Sequence, residues 1–195
     1  MATQAQRREA TRGAILAAAG ALFADAGFAA TSVDDIARAA GVAKGAVYHH
    51  FPSKEAVFEA VFEAASRSLI GPVIKAAMTA SDELDSIVVG TEAYFRACAD
   101  PAFARIILRD GPAVLGWQRW REIDAQHFGG MIPASLKSAM RDGLMAEQPV
   151  EPLGRLLAGA VTEAAVACAA AEDPIATGLA HVEALRGLLQ GLRKA

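Results

Sequence analysis

The chain has few aromatic residues, 6% of 195, and only two cysteines. Cys98 and Cys168 stand alone, without the paired spacing of a zinc site or a redox motif. That argues against disulfide and metal chemistry and for two packed thiols in a reducing compartment. A long uninterrupted apolar run is also missing. The most apolar stretch, Leu156 to Ala171, contains Glu163 and falls short of the ~20 residues that a membrane-spanning helix needs. A buried or interface helix is expected there, with no membrane partner. Met1 to Arg12 is polar and lacks the apolar core of a secretory signal, so a cytoplasmic location is expected. No nucleophile with its base, no paired carboxylates and no phosphate-cradling glycine loop stand at a meaningful spacing. An enzyme is not expected, nor is a cofactor or a metal.

What the chain does have is alanine, which accounts for much of its 53% hydrophobic content. Alanine is the strongest helix former because it loses no side-chain entropy, so an all-α protein is predicted. The net charge of −3 is unevenly spread. Residues 1–54 carry six lysines and arginines against four acids, leaving an acidic remainder. A mildly basic head on an acidic body suits a DNA surface confined to one end.

Within the head, Ile15, Ala19, Leu22 and Phe23 recur at helical spacing, which predicts a first helix from about Gln6 to Ala26 with Gly27 as a left-handed cap. Ser32 can cap a second helix, with Asp35 three positions on as a carboxylate capping box and Val33, Ile36, Ala37 and Ala40 as its buried stripe. Gly41 ends that helix. A third reaches about His50, with Val47 and Phe51 as its large apolar residues. Ser53 can cap a long fourth helix with the stripe Val57, Phe58, Val61, Phe62, Ala65 and Leu69, interrupted or kinked at Gly71-Pro72. Later breaks are expected at residues 79–82, Asp100-Pro101, Asp110-Gly111-Pro112, Gly129-Gly130, residues 143–152 and residues 172–174.

Two short helices joined by a glycine turn within Ser32 to His50 have the spacing of a helix-turn-helix, whose second helix enters the major groove of DNA. On the face opposite Val47 and Phe51 lie Lys44, Gly45, Tyr48 and His49. Lysine contacts phosphates or guanine edges, while tyrosine and histidine donate to phosphate oxygens. Lys54 adds a charge at a helix N-terminus, itself an anion site. Arg7, Arg8 and Arg12 form either a minor-groove arm or, the favoured reading, a solvated and partly disordered tail.

The run from Gly27 to Ala37, then Gly41 to Phe51 and Ser53-Lys54-Glu55, resembles the signature of the TetR/AcrR family of transcriptional regulators. The shared elements are a glycine-aromatic turn, a Thr-Ser cap, Asp-Ile-Ala, Gly-Val, Gly-x-x-Tyr-x-His-Phe and Lys-Glu. Arg105 to Gly116 resembles a segment of many C-terminal domains of that type. The resemblance implies a three-helix head (residues 1–54) joined by a long linker helix to a ligand-binding and dimerisation domain (residues 55–195), about nine helices in all. It implies DNA contacts by Thr31, Ser32, Ala43, Lys44, Gly45, Tyr48, His49 and Lys54. Ala43 departs from the family's usual serine or threonine, losing a hydroxyl but keeping a methyl that can touch thymine. The implied partners are a palindromic double-stranded operator, a second copy of the chain and an unidentified, largely apolar small effector whose binding releases a repressor from DNA.

For the dimer, Val182, Leu185, Leu189 and Leu192 follow a 3-4-3 spacing near the C-terminus. The preceding helix offers Leu157, Val161, Ala164 and Cys168 with small neighbours. Packing within one subunit is the alternative. For the effector pocket, aromatic and polar residues concentrate between the linker and that interface: Tyr94, Phe95, Phe103, Trp117, Trp120, His127, Phe128 and Met131, with Phe62 from the linker. Arg105, Arg109, His127 or Glu163 are available as polar groups. An ordinary core is the alternative for each. Asp124 and His127, three apart, fit a surface ion pair better than a metal site.

Overall fold

The structure, a computed structural model, describes residues 3–194. It is all-α, and ten helices lie among the described residues, with no strand. The first, α1 (Gln4–Ala26), begins earlier than periodicity indicates because Thr3 and Gln6 form a capping box, each side chain bonding the other's backbone N–H. Arg7, Arg8 and Arg12 are therefore helical rather than a disordered tail, and Arg12 lies 5.3 Å from the centre of the Phe51 ring. Gly27 ends α1 with φ +83° and ψ 168°, a conformation open to glycine but outside the left-handed helical region expected for it.

Helix α2 (Val33–Ala40) starts at the expected Ser32–Asp35 capping box and ends at Gly41, which is left-handed at φ +68°, ψ 31°. Helix α3 (Lys44–His50) turns Val47 and Phe51 inward. Helix α4 (Lys54–Ala77) is capped by Ser53. Ile15, Phe23, Ile36, Val47, Phe51 and Phe58 are all buried, and the Phe58 ring meets both Phe23 and Phe28 edge-on at 5.3 Å. Each such side chain contributes roughly 1.5–3 kcal/mol through burial.

The expected interruption of α4 at Gly71-Pro72 does not occur. Pro72 removes one backbone donor, but Leu69 and Val73 on either side are buried. At Gly90, α5 (Glu83–Cys98) approaches closely: a Cβ there would lie 3.6 Å from both Val73 and Ala77. Packing against α5 therefore carries α4 past its proline.

Asp110-Gly111-Pro112 does not break the chain either. Helix α6 spans residues 101–115 as Pro101–Ala104, a π-helical turn Arg105–Asp110, and Gly111–Leu115, ending at Gly116. The reason for glycine at 111 is space, since a Cβ would come within 2.8 Å of the Phe62 ring and 2.9 Å of the Trp120 ring. Helices α7 (Trp117–Phe128), α8 (Met131–Arg141), α9 (Val150–Ala170) and α10 (Pro174–Gly191) complete the body. In the body α5 is central, touching α4, α8, α9 and α10. Arg186 pairs with Asp85 at 3.0 Å and Arg193 with Asp82 at 2.7 Å, pinning the C-terminal segment across the start of α5.

Helix α9 is long and apolar enough to cross a membrane by length and composition, yet here Leu157, Ala164, Ala165 and Cys168 are buried against the body. Those buried residues correct the dimer stripe expected from sequence. Leu157, Ala164, Cys168, Val182, Leu185 and Leu189 are all buried inside the subunit, Val161 lines an internal cavity, and Leu192 packs against the core. The outer faces of the last two helices carry a different set: Leu156 (73% exposed), Val166, Ile175, Leu179 and Leu188 (62%). A 3-4-3 repeat identifies an apolar stripe but not whether its partner belongs to the same chain.

Candidate DNA-binding face and effector cavity

Helix α3 places Lys44, Gly45, Tyr48 and His49 along one exposed stripe, with Tyr48 48% exposed. Ala43, also exposed, occupies the N-cap without a side-chain cap bond. Open space surrounds Gly45, where an added Cβ would meet nothing within 4 Å. Asp34 accepts from the Lys44 ammonium at 2.8 Å, which ties the first turns of α2 and α3 together. This hydrogen bond holds Lys44 above the usual lysine pKa, so its charge is secure.

Three of the expected phosphate contacts are engaged within the protein. The Thr31 hydroxyl is buried and donates to the carbonyl of Gly27 at 2.9 Å. Ser32 is exposed, but its hydroxyl accepts from the Asp35 N–H and donates to the Asp35 carboxylate. The Lys54 ammonium donates to the carbonyls of Phe28 and Thr31, both at 2.9 Å, and lies 4.0 Å from the centre of the Phe28 ring. These carbonyls belong to the α1–α2 connection, where helical bonding leaves acceptors over. Thr31 and Lys54 thus secure the head's internal geometry, and the outward set narrows to Ala43, Lys44, Gly45, Tyr48 and His49, with Ser32 at its edge.

Head and body are joined by more than α4. The Asp110 carboxylate accepts the Phe28 N–H at 2.8 Å, and Arg105 donates to the carbonyl of Asp25. Both partners come from the π-helical turn of α6, the segment singled out in the sequence. Gly27 faces this contact, and a Cβ there would press to 3.3 Å on Asp110. On the other side, Arg119 of α7 grips Glu59 of α4 at 2.6 Å with Glu63 at 3.6 Å, and this hydrogen bonding raises its pKa.

The body contains a partly enclosed cavity of about 110 Å³, measured as space open to the centres of water molecules. Its walls come from α4 (Val73, Ala77), α5 (Ser86, Ile87, Gly90, Thr91, Tyr94), α7 (Asp124, Phe128), α8 (Met131, Ile132, Ser135) and α9 (Ala158, Val161, Thr162), with Gly129 between α7 and α8. The Tyr94 and Phe128 rings pair at 5.7 Å. Ser86 is already satisfied, donating to the Glu83 carbonyl at 2.7 Å while sharing a 3.0 Å hydrogen bond with Ser135.

Of the expected pocket residues, Tyr94, Phe128 and Met131 line this cavity. The others lie elsewhere. Phe62 packs beside Gly111, Trp120 is buried with its indole N–H bonded to the Ile107 carbonyl, and Phe95 faces Gly178 and His181 on α10. Trp117 is 62% exposed, Glu163 is exposed, and His127 is not on the wall. Asp124 lines the cavity, and His127 acts on it from a distance and not as a direct ion pair. No cluster of three metal-ligating side chains occurs among the described residues. Sequence did hold a signal for Asp124: it follows Trp120 and Ile123 on the buried side of α7, one turn before Phe128.

Comparison with known proteins agrees with this architecture. Residues 15–61 match the family model for bacterial regulatory proteins of the tetR family, and residues 84–192 match the tetracyclin repressor-like C-terminal domain. The crystal structure of a TetR-family transcriptional regulator from Pectobacterium atrosepticum superimposes with a TM-score of 0.85 at 32% identity, covering 100% of this chain and 99% of that one. The transcriptional activator FasR of Mycolicibacterium smegmatis is 36% identical over 88 residues, 45% of this chain and 40% of FasR. The transcriptional repressor KstR2 of the same organism is 38% identical over 86 residues, 44% of this chain and 42% of KstR2. The match thus spans about two-fifths of each of these two relatives. From its helix-turn-helix to its C-terminal helices, this chain belongs to the TetR family of transcriptional regulators.

Proposed function

We propose that this chain is a repressor that binds a palindromic operator as a homodimer and leaves it when a small, largely apolar ligand occupies the body cavity. The observation that carries the reading is α3, a seven-residue helix with Val47 buried beneath it and Lys44, Gly45, Tyr48 and His49 turned outward. A face of that kind fits the major groove and has no use in a core. The proposed units are a head of residues 1–54 and a body of residues 55–195; the structural support lies in residues 3–194. Dimerisation is assigned to the outer faces of α9 and α10, where Leu156, Val166, Ile175, Leu179 and Leu188 leave an apolar surface that water disfavours.

The supporting geometry for ligand control is α4. Its first turns sit in the head's aromatic cluster and its last turns, at Val73 and Ala77, form cavity wall, roughly 24 Å away for sixteen residues of helix. Swelling of the cavity would act on α4 directly, on Arg119 through α7, and on Asp110 through α6. A coupling of about 1–3 kcal/mol between ligand and DNA is the ordinary scale for such a device.

A gel-shift titration against DNA flanking the chain's own gene tests the reading. If each Lys44 of a dimer exchanges Asp34 for a phosphate, the pair alone gives a salt slope of about −1.8, so affinity should fall about tenfold from 50 to 200 mM salt. Tyr48→Ala should weaken binding to all sequences alike, and Lys44→Ala should also relax base preference. Absent or salt-insensitive binding would refute a DNA role.

A further inference from the structure

Among the described residues, the cavity walls carry one carboxylate, Asp124, and no lysine, arginine or histidine. No hydrogen bond or ion pair among the described residues reaches that carboxylate; Arg121 and His127, on its own helix, act on it only from a distance. The remaining wall is mostly apolar, and two of its hydroxyls, Ser86 and Ser135, are bonded to each other, with Ser86 also donating to the Glu83 carbonyl. The Tyr94–Phe128 ring pair lines the same cavity. A carboxylate without a hydrogen-bond partner and two aromatic rings around one space suit an ammonium group: the carboxylate can accept its N–H bonds and an aromatic face can attract its charge.

We infer that the effector is a small amine whose ammonium group pairs with Asp124, with a body of about one ring filling the apolar remainder. The inference rests on the ligand-responsive reading above and adds the charge of the ligand to it. Size is bounded by volume: at about 110 Å³ the cavity is smaller than the ~150 Å³ that encloses benzene, so a single ring fits only by extending through the cavity's open side. Sign follows from the walls, because a carboxylate or phosphate ligand would meet Asp124 directly, while Arg121 and His127 stand off the cavity wall. Burial holds the Asp124 carboxyl above the usual aspartate range, outweighing the opposing pull of Arg121 and His127 on its own helix. Helix α7 carries both Asp124 and Arg119, so a ligand seated at the first would bear on the Arg119–Glu59 grip of α4.

The test compares three probes of one size, benzylamine, benzyl alcohol and benzoate, by calorimetry on the full-length protein near neutral pH. Benzylamine should bind at least about tenfold more tightly than benzyl alcohol, the scale of a charge-assisted hydrogen bond, and benzoate should bind most weakly. In Asp124→Asn the advantage of amine over alcohol should vanish while alcohol binding persists. Benzoate binding as well as benzylamine, or an amine preference that survives Asp124→Asn, would overturn the inference. If benzyl alcohol or benzoate binds best and releases DNA, the ligand charge is wrong but ligand control stands. If none of the probes binds, the cavity is not the effector site and both readings fall. The comparison within the unaltered protein keeps the test decisive should the variant fold poorly.

Discussion

Replacing Lys54 separates two roles that its position at a helix N-terminus leaves equally open, phosphate clamp and internal tie. In the structure its ammonium closes the α1–α2 connection through two 2.9 Å bonds and lies 4.0 Å from the Phe28 ring centre. A hydrogen bond to a charged donor contributes about 1.5–3 kcal/mol, and a cation over a partly desolvated ring about 1 kcal/mol. The three share one donor group and are not additive, so Lys54→Ala should cost about 2–4 kcal/mol. For a chain of this length that corresponds to a loss of about 5–12 °C in Tm. Thermal unfolding without DNA measures it. Lys54→Met, which keeps the stem on Phe28, should recover only part of the loss. A Lys54→Ala protein that melts like the unaltered one but binds every DNA sequence more weakly, with its salt slope reduced by about one per subunit, would show that the lysine serves phosphate and that the tie is incidental.

Asp110→Ala should leave the Phe28 N–H without its acceptor, costing about 1–3 kcal/mol and loosening the joint between head and body. Ligand titration of the DNA complex should then show weakened release; unchanged release would place the coupling in α4 alone. Leu188→Glu together with Leu156→Glu should convert the proposed dimer to a folded monomer in sedimentation, whereas Leu185→Glu, at a buried position, should unfold the subunit. A double variant that remains dimeric would move the interface elsewhere. Asp124→Asn should raise the Tm of the ligand-free protein at neutral pH. The fold favours the protonated acid, so stability from this group is full below the unfolded value of 3.8 and declines as pH rises through the raised folded pKa. The gap between variant and unaltered protein should therefore widen from acid to neutral pH, and a constant gap would contradict the linkage. Both cysteines should resist thiol reagents in the folded state, because both side chains are buried and burial pushes the Cys98 thiol up to about 12. Prompt labelling of either would show that the body opens.

Much of this protein is determined by its sequence alone, and the reason is locality. Ser32 with Asp35, Gly41, Ser53 and the Val47–Phe51 spacing act within one or two helical turns, so capping chemistry and periodicity suffice to place α2, α3 and the start of α4. The all-α class and the outward polar face of the recognition helix follow from the same short-range rules. What only tertiary structure decided depends on partners far along the chain. Pro72 and Gly111 look like helix breaks until α5, Phe62 and Trp120 are packed around them. Thr31 and Lys54 look like phosphate donors until the α1–α2 carbonyls come within reach. The apolar stripes of α9 and α10 look like a dimer seam until α5 covers them, leaving Leu156 and Leu188 outside. Asp124 has the same cause: periodicity puts it near the buried side of α7, but only five helices meeting around one space give that carboxylate a cavity whose described walls carry no lysine, arginine or histidine.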